Sequence, residues 1–263
     1  MYAATINDGR LVNRVALSHK HIFDAVQASL KRLGTYIDVF QIHRMDPDVP
    51  HEEIMKALNG VVEQGWVQYL GASSVPAWEF QMLQNVAERH GWHKFISMQY
   101  YYNLLYREEE REMIPICRVT GVGCIPACFR FTSVFNHPCD IHLLIHLKWS
   151  PIARGTLARP WDSATTPTLR SDHDATLKRL INRENEADKN IVAAVEAIAK
   201  ARDLLMAVIA TAWCLSKEGV NPIVGLNSIE RIDEIVIAVK VELSKEEIQK
   251  LEASYVPKDV TGY

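Results

Sequence analysis

The sequence predicts an α/β protein built from βα units around a parallel sheet. Short apolar runs that read as strands recur roughly every 25 to 30 residues. Between them, apolar residues fall at the 3.6-residue helical period. No Gly-x-Gly-x-x-Gly and no Walker-type loop occurs, which counts against the usual nucleotide-binding open sheets. Periodicity alone leaves an open doubly wound sheet as the alternative.

Taken in order, residues 1–17 show no clear period, with Asn7-Asp-Gly9 as a turn. Ser18 caps a helix whose inward face is Ile22, Ala25, Val26, Leu30 and Leu33, and Gly34 ends it. The run Ile37, Val39, Phe40, Ile42 reads as a strand buried on most of its surface, running out at His43. Pro50 opens a second helix with Glu52 and Glu53 in its first turn, where the dipole favours carboxylates. Its stripe is Ile54, Ala57, Leu58, Val61 and Val62, and Gly65 closes it. A strand over Val67–Ser73 follows, then a helix with Phe80, Leu83 and Ala87 inward, then a strand over Phe95–Gln99. The charged run Arg107–Glu112 reads as a solvated helix face, and Val122–Ile125 as another strand.

After Pro126 the rhythm breaks, and residues 127–148 sustain neither period. Regularity resumes at Trp149-Ser-Pro-Ile-Ala-Arg-Gly155, and residues 160–188 read as a polar surface excursion. Ile191, Ala194, Val195 and Ile198 mark a helix, and Met206–Ser216 a second. Pro222–Leu226 reads as a buried strand, and Ser228 opens a helix through Ile232, Ile235 and Val236. Ser244-Lys-Glu-Glu247 is a capping box for a terminal helix.

At 263 residues and 48% hydrophobic, the chain can bury one large core. A net charge of -3 offers no basic excess for nucleic acid or an anionic membrane. The five cysteines are irregularly spaced, and no secretory signal is read at the N-terminus, so they are expected as reduced thiols in the cytoplasm. The longest largely apolar run, Leu204–Leu215, is too short to span a bilayer. Cys128, His137, Cys139, His142 and His146 match no common zinc spacing, so no metal is expected.

Five stretches in this order resemble the aldo-keto reductases, in particular their fungal aryl-alcohol dehydrogenase-like and secondary-metabolite branch. They are Gln41-Ile-His-Arg44, Gly71-Ala-Ser-Ser74, Ser97-Met-Gln99, Trp149–Gly155 and Ile223-Val-Gly225. The likeness runs from about Ser18 to Tyr255, apart from 127–148. It implies a single (β/α)8 TIM barrel domain over 1–263, with an anomalous insertion at 127–148, that moves a hydride between NADP(H) and a small-molecule carbonyl or alcohol.

The resemblance also implies roles. His43 would polarise the substrate carbonyl through a hydrogen bond; taken alone it reads first as a histidine that merely finishes a strand. Ser73, Ser74 and Gln99 would hold the nicotinamide carboxamide, against a reading as strand-end hydroxyls and a solvated amide. Trp149 would stack on the nicotinamide, against ordinary core packing. Ser150, Ile152 and Arg154 would wrap the pyrophosphate. Gly225, Ser228, Arg231 and Glu234 would form the adenosine-phosphate site, with Arg231 on the 2′-phosphate; its bland reading is a solvated helix face. Where relatives usually carry asparagine against adenine, this chain has Ile235. The family's Asp, Tyr and Lys catalytic partners lie on segments before the helix that starts near Ser18. On that comparison the barrel is expected to lack its first three strands, and a non-catalytic remnant or cofactor-binding partner is the alternative function.

Overall fold

In the computed structural model, residues 16–126, 151–161, 185–226 and 228–260 are described. Among the described residues four strands lie side by side in the order in which the chain makes them: β1 Ile37–Gln41, β2 Val67–Ser73, β3 Phe95–Tyr100 and β4 Gly123–Pro126. Every neighbouring pair is parallel. A doubly wound sheet reverses its strand order at a switch point; among the described residues this one never does. The pairing continues one position further, because Cys124 N–H donates to Gly219 O at 3.2 Å and Asn221 N–H to Cys124 O at 2.9 Å. The bridge to Cys124 falls at Val220, just ahead of the expected strand 222–226, within which Ile223, exposed, is the one residue in a β-bridge.

The crossover helices form where capping residues and apolar stripes dictate. Helix α1, His19–Leu33, starts at Ser18, whose hydroxyl accepts from His21 N–H, and stops at left-handed Gly34 (φ 73°). Leu33, expected inward, is exposed on its last turn. Helix α2, His51–Glu63, follows Pro50 and buries Ile54, Met55, Ala57, Leu58 and Val61. Helix α3, Ala77–His90, buries Phe80, Leu83, Val86 and Ala87, and Phe80 stacks on Phe95 of β3 with ring centroids 5.9 Å apart. Helix α4, Met113–Thr120, leads into β4.

Beyond residue 185 most of the described chain is helical: α5 Glu186–Ala201, α6 Met206–Leu215, α7 Ile229–Val236 and α8 Lys245–Glu252. Helix α6 is apolar on nearly every side and correspondingly buried from Val208 to Cys214. Helix α8 carries the complete Ser244–Glu247 capping box, whereas α7 buries none of its residues. Among the described residues no helix is long and apolar enough to cross a membrane, and Cys117, Cys124 and Cys214 are buried free thiols.

Two further sequence expectations are corrected. Strand β1 is not buried on most of its surface, since Val39 is 41% exposed beside Tyr36 at 51%. The reason is its position at the sheet edge, where it pairs with β2 alone among the described residues. The charged run from Arg107 is not a solvated helix face either. Glu108 and Glu109 are 6% and 3% exposed, and Glu108–Glu110 form a single 3-10 turn. Arg107 Nη2 donates to Glu110 Oε2 at 2.7 Å within the run, and partners from the far end of the chain meet it there: Glu252 Oε2 accepts from Arg107 Nη2 at 3.2 Å, and the Tyr255 hydroxyl donates to Glu108 Oε1 at 2.6 Å.

Candidate active site

The site is built from the pleat of the sheet. Residues paired in register on parallel strands share a face, and faces alternate along each strand. Gln41 pairs with Gly71, Gly71 with Ser97, and Ser97 with Gly123; two residues on, Ser73 pairs with Gln99 and Gln99 with Ile125. These positions therefore line one face at the carboxyl ends of the strands. Leu70, Ala72 and Met98 alternate onto the other face and are buried in the core.

Ser73, Ser74 and Gln99 come together as one group. The Ser74 N–H donates to Gln99 O at 3.0 Å, and the Ser73 and Ser74 hydroxyl oxygens lie 3.3 Å apart. All three are buried. Ser74 has φ 53°, in the left-handed region that a side chain other than glycine enters at a cost. Such strain is characteristic of functional positions. The Ser97 hydroxyl, on the same face, is buried with no hydrogen-bond partner among the described residues.

His43 leaves the sheet level with Ser73. The ladder runs one bond beyond β1, from Ile42 N–H to Gly71 O at 3.0 Å, and His43 is next. It is half-buried. Burial, the largest cause, together with nearby positive charge of which Arg44 is the smaller part, lowers its pKa to about 4. The imidazole is therefore neutral at physiological pH and carries one N–H donor.

The remaining candidates fall elsewhere. Ile152 is half-buried and Arg154 is 7% exposed. Ala153, Arg154 and Gly155 are successively left-handed (φ 46°, 58° and 96°) within the 3-10 segment Ala153–Ala158. The Tyr101 hydroxyl is pushed up to about 12 by burial, against the Asn103 hydrogen bond and the Arg154 charge that lower it. Arg154 thus stands near Tyr101. Ser228 and Arg231 meet at the start of α7, where the Ser228 hydroxyl accepts from Arg231 N–H at 3.4 Å; Gly225 precedes the helix and Glu234 lies further along it. Arg231 and Glu234 are exposed. Trp149, Ser150 and the stretch 127–148 lie outside the described residues.

Two residues escaped sequence reasoning. Gln41 Nε2 donates to Gln99 Oε1, and Gly71 lies between them. A signal was present in the spacing. Gln41 and His43, Gly71 and Ser73, and Ser97 and Gln99 are each two apart, so each pair shares one face of its strand.

Parallel βα units that gather buried polar groups at the carboxyl ends of successive strands are the architecture of barrel enzymes. The chain belongs to the aldo/keto reductase family, whose sequence profile matches residues 9–129 and 143–256. Members of that family are (β/α)8 barrels, so β1–β4 form a consecutive arc of one, and they generally use a nicotinamide cofactor. The chain is 54% identical over 255 residues to versiconal hemiacetal acetate reductase of Aspergillus parasiticus, covering 97% of this chain and 67% of that protein. It is 44% identical to an aldo-keto reductase of Fusarium vanettenii over 253 residues, covering 96% of this chain and 62% of the relative. An aldo-keto reductase of Alternaria alternata is likewise 44% identical over 259 residues, with coverages of 96% and 62%. The chain thus spans about two thirds of the length of the relatives it matches.

Proposed function

We propose that the protein is an NADPH-dependent reductase of an aldehyde or ketone, acting in the cytoplasm in fungal secondary metabolism. The observation that carries this reading is the buried Ser73–Ser74–Gln99 group at the strand ends, with His43 beside it. Its donors and acceptors suit a carboxamide: hydroxyls at Ser73, Ser74 and Ser97, and the amide of Gln99. The unpartnered Ser97 hydroxyl supports the fit, because a buried polar group without a partner is costly unless something else satisfies it.

When bound, the cofactor would supply the hydride, and the proton that completes the alcohol would come from water or from the tyrosine that the family carries ahead of the helix at Ser18. His43, neutral above about pH 4, donates a hydrogen bond to the carbonyl oxygen and stabilises the negative charge that grows there. By the family resemblance, Trp149 would cover the nicotinamide, and Ser150, Ile152 and Arg154 would line the pyrophosphate. Gly225, Ser228, Arg231 and Glu234 hold the adenosine phosphate, with Arg231 on the 2′-phosphate. The relative from Aspergillus parasiticus is named for a hemiacetal acetate; a hemiacetal is a masked aldehyde, which supports an aldehyde as the substrate class. The buried free thiols suit a reducing compartment. The chain reads as one barrel domain with an insertion at 127–148.

The test is a titration of the purified protein with NADPH and NADH, followed by NADPH oxidation with aromatic aldehydes and ketones. Binding of NADPH, weakened by Arg231→Ala more than binding of NADH, is the expected result. Equal losses for both cofactors remove Arg231 from the 2′-phosphate. Absence of both binding and turnover overturns the proposal.

A further inference from the structure

We infer that Gln41 is a positioning residue that sets which atom of the Gln99 amide faces the cofactor, and that residue 71 is glycine so that Gln41 can reach it. This rests on the assignment of Gln99 to the nicotinamide carboxamide proposed above.

Gln41 stands on β1 and Gln99 on β3, with β2 between them. Its side chain crosses β2 to make the Nε2-to-Oε1 bond. The crossing runs over Gly71, the register partner of Gln41. A Cβ on Gly71 would lie 3.1 Å from Gln41 Oε1, 3.2 Å from Gln41 Cγ and 2.6 Å from Ser97 Oγ. Gly71 is not among the glycines with positive φ, so what it provides is clearance and not conformational freedom.

The backbone of Gln99 is already held, by the pairing of β3 and by Ser74 N–H donating to its carbonyl. The terminal amide torsion is the remaining variable. A half-turn of an amide exchanges donor for acceptor at almost unchanged shape, so packing alone discriminates poorly between the two orientations. The bond with Gln41 engages one end of the Gln99 amide: in the structure Gln41 Nε2 donates and Gln99 Oε1 accepts. With Gln99 Oε1 engaged, the group left for a ligand is Nε2, a donor that selects a carbonyl oxygen. Gln41 acts through Gln99 and does not itself touch the ligand.

The experiment measures dissociation constants of the full chain for two probes, NADPH and 2′,5′-ADP, which keeps the adenosine and 2′-phosphate but has no nicotinamide. The variants are Gln41→Met, Gln41→Glu and Gly71→Ala. Gln41→Met keeps the length and loses the amide; Gly71→Ala blocks the crossing. Each is expected to weaken NADPH by roughly 3- to 10-fold, the worth of one hydrogen bond, while 2′,5′-ADP stays within about twofold. Gln41→Glu is expected to lose at least as much as Gln41→Met, because a carboxylate only accepts and turns Gln99 Oε1 outward. NADPH binding unchanged in the Gln41 variants overturns the inference while leaving the cofactor assignment standing. A parallel loss of 2′,5′-ADP also overturns it, marking Gln41 as merely structural. A wild-type chain that binds neither probe overturns the assignment and the inference together.

Discussion

The Tyr255 hydroxyl donates to Glu108 Oε1 at 2.6 Å across 147 positions of chain, and accepts from the Arg107 N–H at 2.8 Å. The Lys258 N–H donates to the same carboxylate oxygen at 2.8 Å, and Arg111 Nε lies 2.6 Å from Oε2. The segment after α8 is thereby fastened to the turn that follows β3. Tyr255→Phe is expected to cost about 1.5–3 kcal/mol, the range for a hydrogen bond to a charged group. A lowered urea midpoint at unchanged slope checks it; a midpoint within error of wild type means that this bond does not hold the segment.

The same carboxylate makes stability depend on pH. Burial alone would raise its pKa, but bonds from Tyr255, the Lys258 N–H and Arg111 outweigh it and hold Glu108 below the ordinary 4.5. A depressed carboxylate contributes stability that is present above its unfolded pKa and lost as pH falls through the folded value. The wild type should therefore lose urea resistance as pH drops below about 4.5, and Glu108→Gln should lose it less steeply. Identical acid limbs in the two proteins would dismiss Glu108 as a contributor.

Lys258 Nζ lies 2.8 Å from both carboxylate oxygens of Asp188, which is 1% exposed. Removing one member of such a pair strands a buried charge. Lys258→Met is expected to cost about 3–5 kcal/mol. Lys258→Met with Asp188→Asn should recover a large part of that loss, since neither residue then carries a charge. Additive losses in the double-mutant cycle would show that the two side chains are not coupled.

His43 should titrate far below an ordinary histidine. Its folded pKa of about 4 lies under the unfolded 6.5, so the native state binds fewer protons between these values. Stability accordingly falls as pH drops across that window, and the slope disappears in His43→Gln. Following the imidazole C–H resonances by NMR measures the midpoint directly. A midpoint near 6.5 would contradict a buried, neutral imidazole.

Ser74 sets stability against function. At φ 53°, glycine relieves about 1 kcal/mol of backbone strain. Ser74→Gly is therefore expected to raise the urea midpoint slightly while weakening NADPH, because a hydroxyl of the buried polar group is lost. A variant that is less stable and binds NADPH normally would reverse both assignments.

What the sequence determined by itself was what neighbouring residues decide. Ser18 before a helical stripe and Gly34 after it end α1 wherever that helix sits, because capping is satisfied within one turn. Strands β2, β3 and β4 were legible from short apolar runs between such helices, and the family motifs pointed to His43, Ser73, Ser74 and Gln99. Only tertiary structure decided the rest. Arg107–Glu112 reads as solvated because charge is ordinarily hydrated; local sequence cannot show that Glu252, Tyr255 and Lys258 arrive some 145 to 150 residues later to replace the water. Strand β1 has the composition of an interior strand, but its exposure follows from which strands flank it. The bond between Gln41 and Gln99 depends on two strand registers and a missing side chain at Gly71. Register is a property of the paired sheet, so it exists only once strands distant in sequence have met.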